Sequence, residues 1–125
     1  MKANLNTFLF NNLNMIKNLT TNKILTQKKE FAISLWQKFR GLMFRKLKNK
    51  GLIFIFNKEQ VISLHMIFVF HPIDVLWLNS EKEVVEIKRI FKPFTFYTPK
   101  SKAKYVIEFP ANTIKEIKIK DKIYF

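Results

Sequence analysis

The stretch from Gly41 to Leu78, GLMFRKLKNKGLIFIFNKEQVISLHMIFVFHPIDVLWL, holds much of the chain's apolar side-chain mass. After Gly51 every residue to Phe56 is apolar, which is typical of a strand covered on both faces or lying in a curled or closed sheet. Pro72 follows the next apolar run. Because proline cannot donate to a sheet ladder, we expect a bend or an edge there and a new strand from Ile73 to Leu78.

The same stretch raises the alternative of a membrane helix. The stretch from Val61 to Leu78 has 18 residues, 13 of them strongly apolar, and a helix of that length can span a bilayer. Asp74 near the middle of such a helix would cost about 2.5 to 3.5 kcal/mol, and Pro72 would break it. The sequence therefore favours a protein core over a membrane span.

Two further elements are predicted before the core strands. Residues 15–27 form two short apolar runs around Thr20, Thr21 and Asn22, a pattern that predicts a hairpin with a polar turn. A capping box of Ser34 and Gln37 predicts the start of a helix that ends near Gly41.

The C-terminal part alternates between strands and turns. Residues 79–82 predict a hairpin turn, and the return strand would place Val85, Ile87 and Phe91 on one face. The loop 93–104 contains aromatic side chains that we expect to fold back over the sheet.

A further strand is predicted from Tyr105 to Pro110, with Val106 and Glu108 on one face. A short turn or helix near residues 112–117 and a final strand toward Phe125 complete the chain.

Length and composition predict one domain. With 125 residues, a single core is expected in residues 15–125, after an N-terminal extension of residues 1–14 that is either irregular or a short helix. The chain has no cysteine, which excludes disulfides, thiolate metal ligands and cysteine nucleophiles. We expect a cytoplasmic location on this basis.

The net charge is +14, and the basic excess lies in the N-terminal half: residues 1–60 carry 12 basic and 2 acidic side chains, and residues 61–125 carry 11 and 7. Such a field attracts nucleic acid, anionic membranes or acidic proteins without selecting among them. Genome composition is the alternative cause. Lys, Asn, Ile and Phe, whose codons are rich in A and T, supply 60 of the 125 residues.

Titratable side chains inside the apolar motifs are the candidate functional residues: Arg45, His65, His71, Asp74 and Glu108. One hypothesis places Asp74 and Glu108 in one cleft with Arg45, and with His65 they would form a pocket for a small polar or anionic ligand. The structural alternative pairs Asp74 with Arg45 or uses it to cap a local backbone turn beside Pro72, since a buried carboxylate needs partners, and the same structural alternative applies to Glu108.

The histidines and Asp74 match no familiar metal-ligand spacing, so we predict no metal site, no cofactor and no catalytic residue. A binding protein is favoured over an enzyme, with nucleic acid, RNA in particular, as the alternative ligand. The sequence leaves the oligomeric state open.

Five segments occur in an order that resembles the domain of unknown function 192 family, also called uncharacterised protein family 0127: GLMFR (41–45), GLIFIF (51–56), HMIFVFHPIDVLWL (65–78), YVIEFPA (105–111) and KDKI (120–123). The resemblance covers about residues 15 to 125. It implies an α+β, mainly β domain: a small antiparallel curled sheet or barrel-like fold with one or two short helices. No activity is assigned to that family, so the resemblance implies no catalytic residue.

Two positions depart from the family pattern. Asn112 and Lys120 stand where glycine is usual. Asparagine enters left-handed backbone conformations more readily than most residues, so the change at Asn112 is the more tolerable of the two. Both changes count against a role that needs close backbone approach at these turns.

Overall fold

The computed structural model describes residues 14–32, 48–66 and 70–125. The predicted helix from Ser34 to Gly41, Arg45 and the N-terminal extension up to residue 13 lie outside the described residues. The strands in the described part are β1 (Ile16–Asn18), β2 (Lys23–Thr26), β3 (Lys28–Ala32), β4 (Lys50–Gln60), β5 (Leu64–His65), β6 (Ile73–Leu78), β7 (Val84–Phe91), β8 (Phe96–Tyr97), β9 (Ala103–Pro110) and β10 (Ile123–Tyr124).

A five-stranded central sheet has the order β3-β4-β9-β6-β7. All its neighbours are antiparallel except β3 and β4, which are parallel. The expectation of an antiparallel sheet is therefore wrong at this edge. Parallel neighbours need a crossover of a dozen or more residues, and the segment 33–49 between β3 and β4 is long enough to supply it. The other sheets have the orders β10-β1-β2 and β5-β8.

The mainly β class is confirmed, but two details of the predicted fold are not found. Within the described residues the central sheet keeps β3 and β7 as edges and does not close into a barrel. The same residues contain no helix, and 112–117 form turns, in which the Thr113 and Ile117 amides donate to the Pro110 and Ile114 carbonyls. No helix in the described part of the chain is long and apolar enough to cross a membrane.

The core lies on both sides of the central sheet, as the two apolar faces of β4 predicted. One side, which we call the Trp77 face, carries Trp77 with Leu52 and Val106. The other side, the Leu76 face, carries Leu76 and Ile107. Residues 62–66 and Tyr97 pack against the Trp77 face, and the small sheet of β1, β2 and β10 covers the Leu76 face together with residues 114–117.

Strand β6 lies between β9 and the edge strand β7, and all six of its residues are buried. Its partner β7 contains two register shifts, which change the faces predicted for it. Val85 and Phe91 pack on the Trp77 face, while Ile87 packs on the Leu76 face. The prediction that these three side chains share one face is wrong, because each bulge adds a residue that breaks the two-residue alternation.

Both predicted hairpin turns are confirmed. Strands β1 and β2 pair around residues 19–22, and β6 and β7 pair around residues 79–83. In the second turn the Asn79 side-chain oxygen accepts hydrogen bonds from the amides of Glu81 and Glu83, and Lys82 has a φ of 63°. An asparagine that holds the turn backbone in this way fixes the hairpin locally.

The aromatic loop folds back in part. Tyr97 packs on Trp77, with ring centroids 5.5 Å apart, and on Phe91 at 6.3 Å. Phe94 and Phe96 are instead 63% and 80% exposed, so the prediction that the loop aromatics cover the sheet holds for Tyr97 and fails for these two.

The two departures from the family's glycine pattern both occupy left-handed backbone. Asn112 has a φ of 71° and Lys120 a φ of 78°. Only glycine adopts such angles without a steric penalty, although asparagine tolerates them better than lysine. The structure thus explains why glycine is usual at both positions.

Candidate functional site

Glu108 is a carboxyl placed inside the hydrophobic core. On β9 it lies opposite Leu52 of β4 and Val75 of β6, so its side chain shares the Trp77 face with them. The residue is 8% exposed, and its Oε2 atom has no hydrogen-bond partner among the described residues. Burial raises the pKa of Glu108 to about 8, so the carboxyl is protonated at neutral pH and can both donate and accept a hydrogen bond.

Asp74 is equally buried, at 1% exposed, but its carboxylate is used by the fold. One oxygen accepts the Ile90 amide at 2.9 Å, and the other accepts the Ile114 amide at 3.2 Å. Ile90 sits in the β7 bulge with a φ of 50°, an unusual angle for a β-branched residue. Asp74 therefore ties this bulge to the turn that follows β9, and these hydrogen bonds join distant segments rather than capping a local turn beside Pro72 as the sequence suggested.

The structure does not bring Asp74 and Glu108 together. Asp74 lies opposite Phe109 on the Leu76 face. The next pair along the two strands is Val75 with Glu108. Because successive strand residues point to opposite faces, the two carboxyls lie on opposite sides of the sheet. The shared cleft is therefore absent.

The other sequence candidates are scattered. His65 is exposed on β5 opposite Phe96, and His71 is half-buried beside Pro72. Arg45 lies outside the described residues. Among the residues described, no three His, Asp or Glu side chains converge as metal ligands would. Of the candidate pocket residues that the structure describes, Glu108 is the one with a buried side-chain oxygen that lacks a hydrogen-bond partner among the described residues.

A buried polar link that sequence reasoning missed joins β1 to the loop before β10. The Asn18 amide donates to the Asp121 carboxylate at 2.9 Å, and that carboxylate also accepts the Lys118 backbone amide at 3.0 Å. Both Asn18 and Asp121 are buried. No clear sequence signal marks this link, because Asn18 follows Lys17 and Asp121 lies between Lys120 and Lys122. The contacts are all internal, so this link stabilises the fold.

A shallow groove of about 230 Å³ lies between β2 and the turns at 113–117. Its rim carries an ion pair between Lys23 and Glu116, both largely exposed. Exposed pairs of this kind contribute little to stability or binding, because water and salt screen them.

A second feature missed from the sequence lies at one end of the Leu76 face. Its members, which we call the lysine–aromatic surface, are Lys29, Phe31, Lys82, Tyr105, Tyr124 and Phe125. Phe125 is 5.1 Å from Tyr105 and 6.3 Å from Phe31, measured between ring centroids. The ammonium of Lys82 lies 4.1 Å from the Phe125 centroid, and that of Lys29 lies 5.1 Å from the Tyr124 centroid.

The two lysines of this surface lie near each other. Partial burial, and next the positive charge of Lys82, lower the pKa of Lys29. Neither lysine forms an ion pair with an acidic residue in the described part of the chain, and Glu83 next to Lys82 accepts from the Asn79 side chain instead. The spacing of Lys29 and Phe31, two residues apart on a strand, was the sequence signal for a shared face.

Comparison with known proteins identifies relatives in Thermococcus and Pyrococcus species. A UPF0127 protein of Thermococcus sibiricus is 41% identical over 102 residues, which are 80% of this chain and 66% of that protein. The chain therefore spans just under two-thirds of this relative's length. A UPF0127 protein of Pyrococcus furiosus is 40% identical over 104 residues, which are 82% of this chain and 88% of the relative.

Solved structures share the fold at 20% sequence identity. A protein of Sinorhizobium meliloti described as a candidate transcription regulator superposes with a TM-score of 0.77, covering 88% of this chain and 89% of its own. A protein of unknown function from Novosphingobium aromaticivorans gives the same TM-score and covers 89% and 82%. At this identity the likeness shows the fold alone.

The family profile described as uncharacterised ACR, domain of unknown function 192, matches residues 16–123. That match covers both the central sheet and the small sheet of β1, β2 and β10. With the two archaeal relatives, it shows that the chain belongs to the domain of unknown function 192 family, the UPF0127 proteins.

Proposed function

We propose that the protein binds a small polar or anionic ligand through Glu108. The observation that carries this proposal is a buried carboxyl whose Oε2 has no hydrogen-bond partner among the described residues. Buried polar atoms in folded proteins are nearly always paired, so an unpaired one needs a reason. A ligand that hydrogen-bonds to Glu108 supplies one.

The protonation state of Glu108 defines the ligand chemistry. With its pKa raised to about 8 by burial, the neutral carboxyl donates a hydrogen bond to a carbonyl, carboxylate or phosphate oxygen and accepts one from a hydroxyl or amide. The apolar neighbours Leu52 and Val75 favour a ligand that combines such a group with an apolar part. Binding is proposed in place of catalysis because no described side chain is hydrogen-bonded to Glu108 as a catalytic partner would be.

A thermal-shift screen of small carboxylates, phosphates and amides at pH 7 tests the proposal. We expect at least one compound class to stabilise the wild-type protein, with Glu108→Leu losing that stabilisation and Glu108→Gln keeping part of it. Glu116→Gln, an exposed carboxyl elsewhere, is the matched control and keeps the full shift. A screen without hits, or equal shifts in the wild type and in Glu108→Leu, would overturn the proposal.

Nucleic-acid binding is the second candidate function, and the lysine–aromatic surface favours it. A net charge of +14 attracts polyanions, and partly exposed rings beside lysines suit nucleic acid in particular. The Sinorhizobium meliloti neighbour is described as a candidate transcription regulator, which is consistent with this function but adds little at 20% identity. Both candidate functions fit a cytoplasmic protein, the location we propose.

Affinity measured against salt tests this second function. Binding to RNA or DNA should weaken steeply between about 50 and 200 mM salt, because phosphate contacts release counterions. Absent or salt-insensitive binding would exclude it.

A further inference from the structure

We infer that the lysine–aromatic surface binds single-stranded nucleic acid, with bases stacking on its rings and phosphates lying against Lys29 and Lys82. This inference deepens the second candidate function and rests on it. The surface lies on the side of the sheet opposite Glu108, so the site is separate from the proposed ligand pocket.

The rings form a continuous array supplied by separate parts of the chain. Phe31 comes from β3, Tyr105 from β9 and Phe125 from the residue after β10, and the neighbouring centroids are 6.3 and 5.1 Å apart. Phe31 is 40% exposed, and Ile55 beside Tyr105 on the adjacent strand is 42% exposed. Tyr105 and Phe125 are half-buried, and a cluster of partly exposed rings beside a sheet is a surface on which unpaired bases can stack.

The lysines provide the phosphate contacts. Partial burial, and next the nearby positive charge of Lys82, lower the pKa of Lys29, and no acidic residue in the described ranges pairs with either lysine. An anion placed between two such cations relieves their repulsion. Their ammonium groups lie beside the rings, at 5.1 Å from the Tyr124 centroid and 4.1 Å from the Phe125 centroid, so a phosphate held there keeps its base within stacking reach.

This combination discriminates between polyanions. In a duplex the base faces are stacked on each other and unavailable to protein rings. A duplex would therefore contact the lysines and would not stack on the rings. An anionic membrane would call for protruding apolar side chains that insert between lipids. Tyr105 and Phe125 are only partly exposed, so they do not protrude as membrane-inserting side chains would.

Fluorescence anisotropy with labelled oligo-uridine RNA and oligo-thymidine DNA of about 12 nucleotides tests the inference on the full chain, within the site sizes typical of such surfaces. Salt titrations from about 50 to 200 mM give the slope of log affinity against log salt. The variants are Lys29→Gln/Lys82→Gln and Phe31→Leu. Their matched controls are Lys92→Gln/Lys100→Gln, which removes the same charge from two exposed lysines elsewhere, and Phe96→Leu.

We expect the wild type to bind both single strands. The Lys29→Gln/Lys82→Gln variant should lower the magnitude of the salt slope by about 1.4, or about 0.7 for each lost phosphate contact. Phe31→Leu should weaken binding about fivefold or more, because a lost stacking partner has that effect. The control variants should stay within about twofold, and thermal melts should show all four variants folded. A difference between RNA and DNA would identify the natural strand.

Each contrary result has a distinct meaning. If the wild type binds no oligonucleotide, both the nucleic-acid function and this inference are wrong. If it binds and the lysine variants match their control, the function stands and the assigned surface is wrong. A preference for duplex over single strands, or binding confined to vesicles that contain phosphatidylserine, would likewise overturn the inference.

Discussion

Replacing Glu108 by glutamine should remove a large pH dependence from the protein's stability. Burial raises the pKa of Glu108 from an ordinary 4.5 to about 8 in the folded state. Between these values the unfolded chain loses the proton and the folded chain keeps it, so the free energy of unfolding falls as pH rises. At about 1.4 kcal/mol per pH unit, the loss reaches about 5 kcal/mol above pH 8 and about 3 kcal/mol at pH 7.

Chemical denaturation at several pH values between 5 and 9 measures this effect. The difference in unfolding free energy, Glu108→Gln minus wild type, should rise steadily with pH and level off above about pH 8, as the linkage requires. Other titrating groups contribute equally to both proteins and cancel in the difference. The unpaired amide of the glutamine adds a constant offset that leaves the slope unchanged.

Glu116→Gln is the control, because its carboxyl behaves in the opposite way. The hydrogen bond and positive charge of Lys23 lower the pKa of Glu116, so the small stabilisation it gives is present above the unfolded pKa and is lost as pH falls. Parallel stability curves for the wild type and Glu108→Gln between pH 5 and 9 would refute the burial argument. So would a difference that shrinks as pH rises.

Three further predictions concern the fold. Lys120→Gly should raise the free energy of unfolding by about 0.5 to 1 kcal/mol, since it removes left-handed strain at a φ of 78°, whereas Lys118→Gly should lower it. Gly51→Ala should lower the free energy of unfolding by about 1 to 3 kcal/mol, because the new Cβ would lie 2.2 Å from the Ile16 Cδ1. Ile16→Val removes that methyl group, so it should destabilise the Gly51→Ala protein less than it destabilises the wild type. Asp74→Ala should cost about 2 to 4 kcal/mol, because it leaves two backbone amides without their charged acceptor. Urea denaturation measures all three effects. They would be contradicted if glycine changed stability equally at positions 118 and 120, if the effects of the changes at positions 16 and 51 simply added, or if Asp74→Ala left stability unchanged.

The strands of the core could be predicted from local patterns because each depends on its own residues. Alternation placed Val106 and Glu108 on one face of β9, and the structure agrees. Alternation failed on β7, where two bulges shift the phase, and a bulge is stabilised by contacts from elsewhere in the fold, here the Asp74 carboxylate. Such distant contacts leave no local pattern.

The candidate site shows the same limit. The alternation within each strand places Asp74 on the face of the β6 leucines and Glu108 on the face of Val106. Whether the two faces coincide depends on the register between strands about 30 residues apart, and a shift of one residue reverses the answer. The observed register pairs Val75 with Glu108 and so separates the carboxyls.

The two buried carboxyls then differ in what explains them. Asp74 accepts two backbone amides, so its charge is compensated inside the fold and its role is structural. The Glu108 Oε2 atom has no hydrogen-bond partner among the described residues, and the burial of this carboxyl lowers stability at neutral pH by about 3 kcal/mol relative to a group that does not ionise. A leucine or methionine of similar volume would fill the same space without that cost. No contact within the described residues therefore explains a carboxyl at this position, and the ligand proposed for Glu108 would have to reach the Trp77 face.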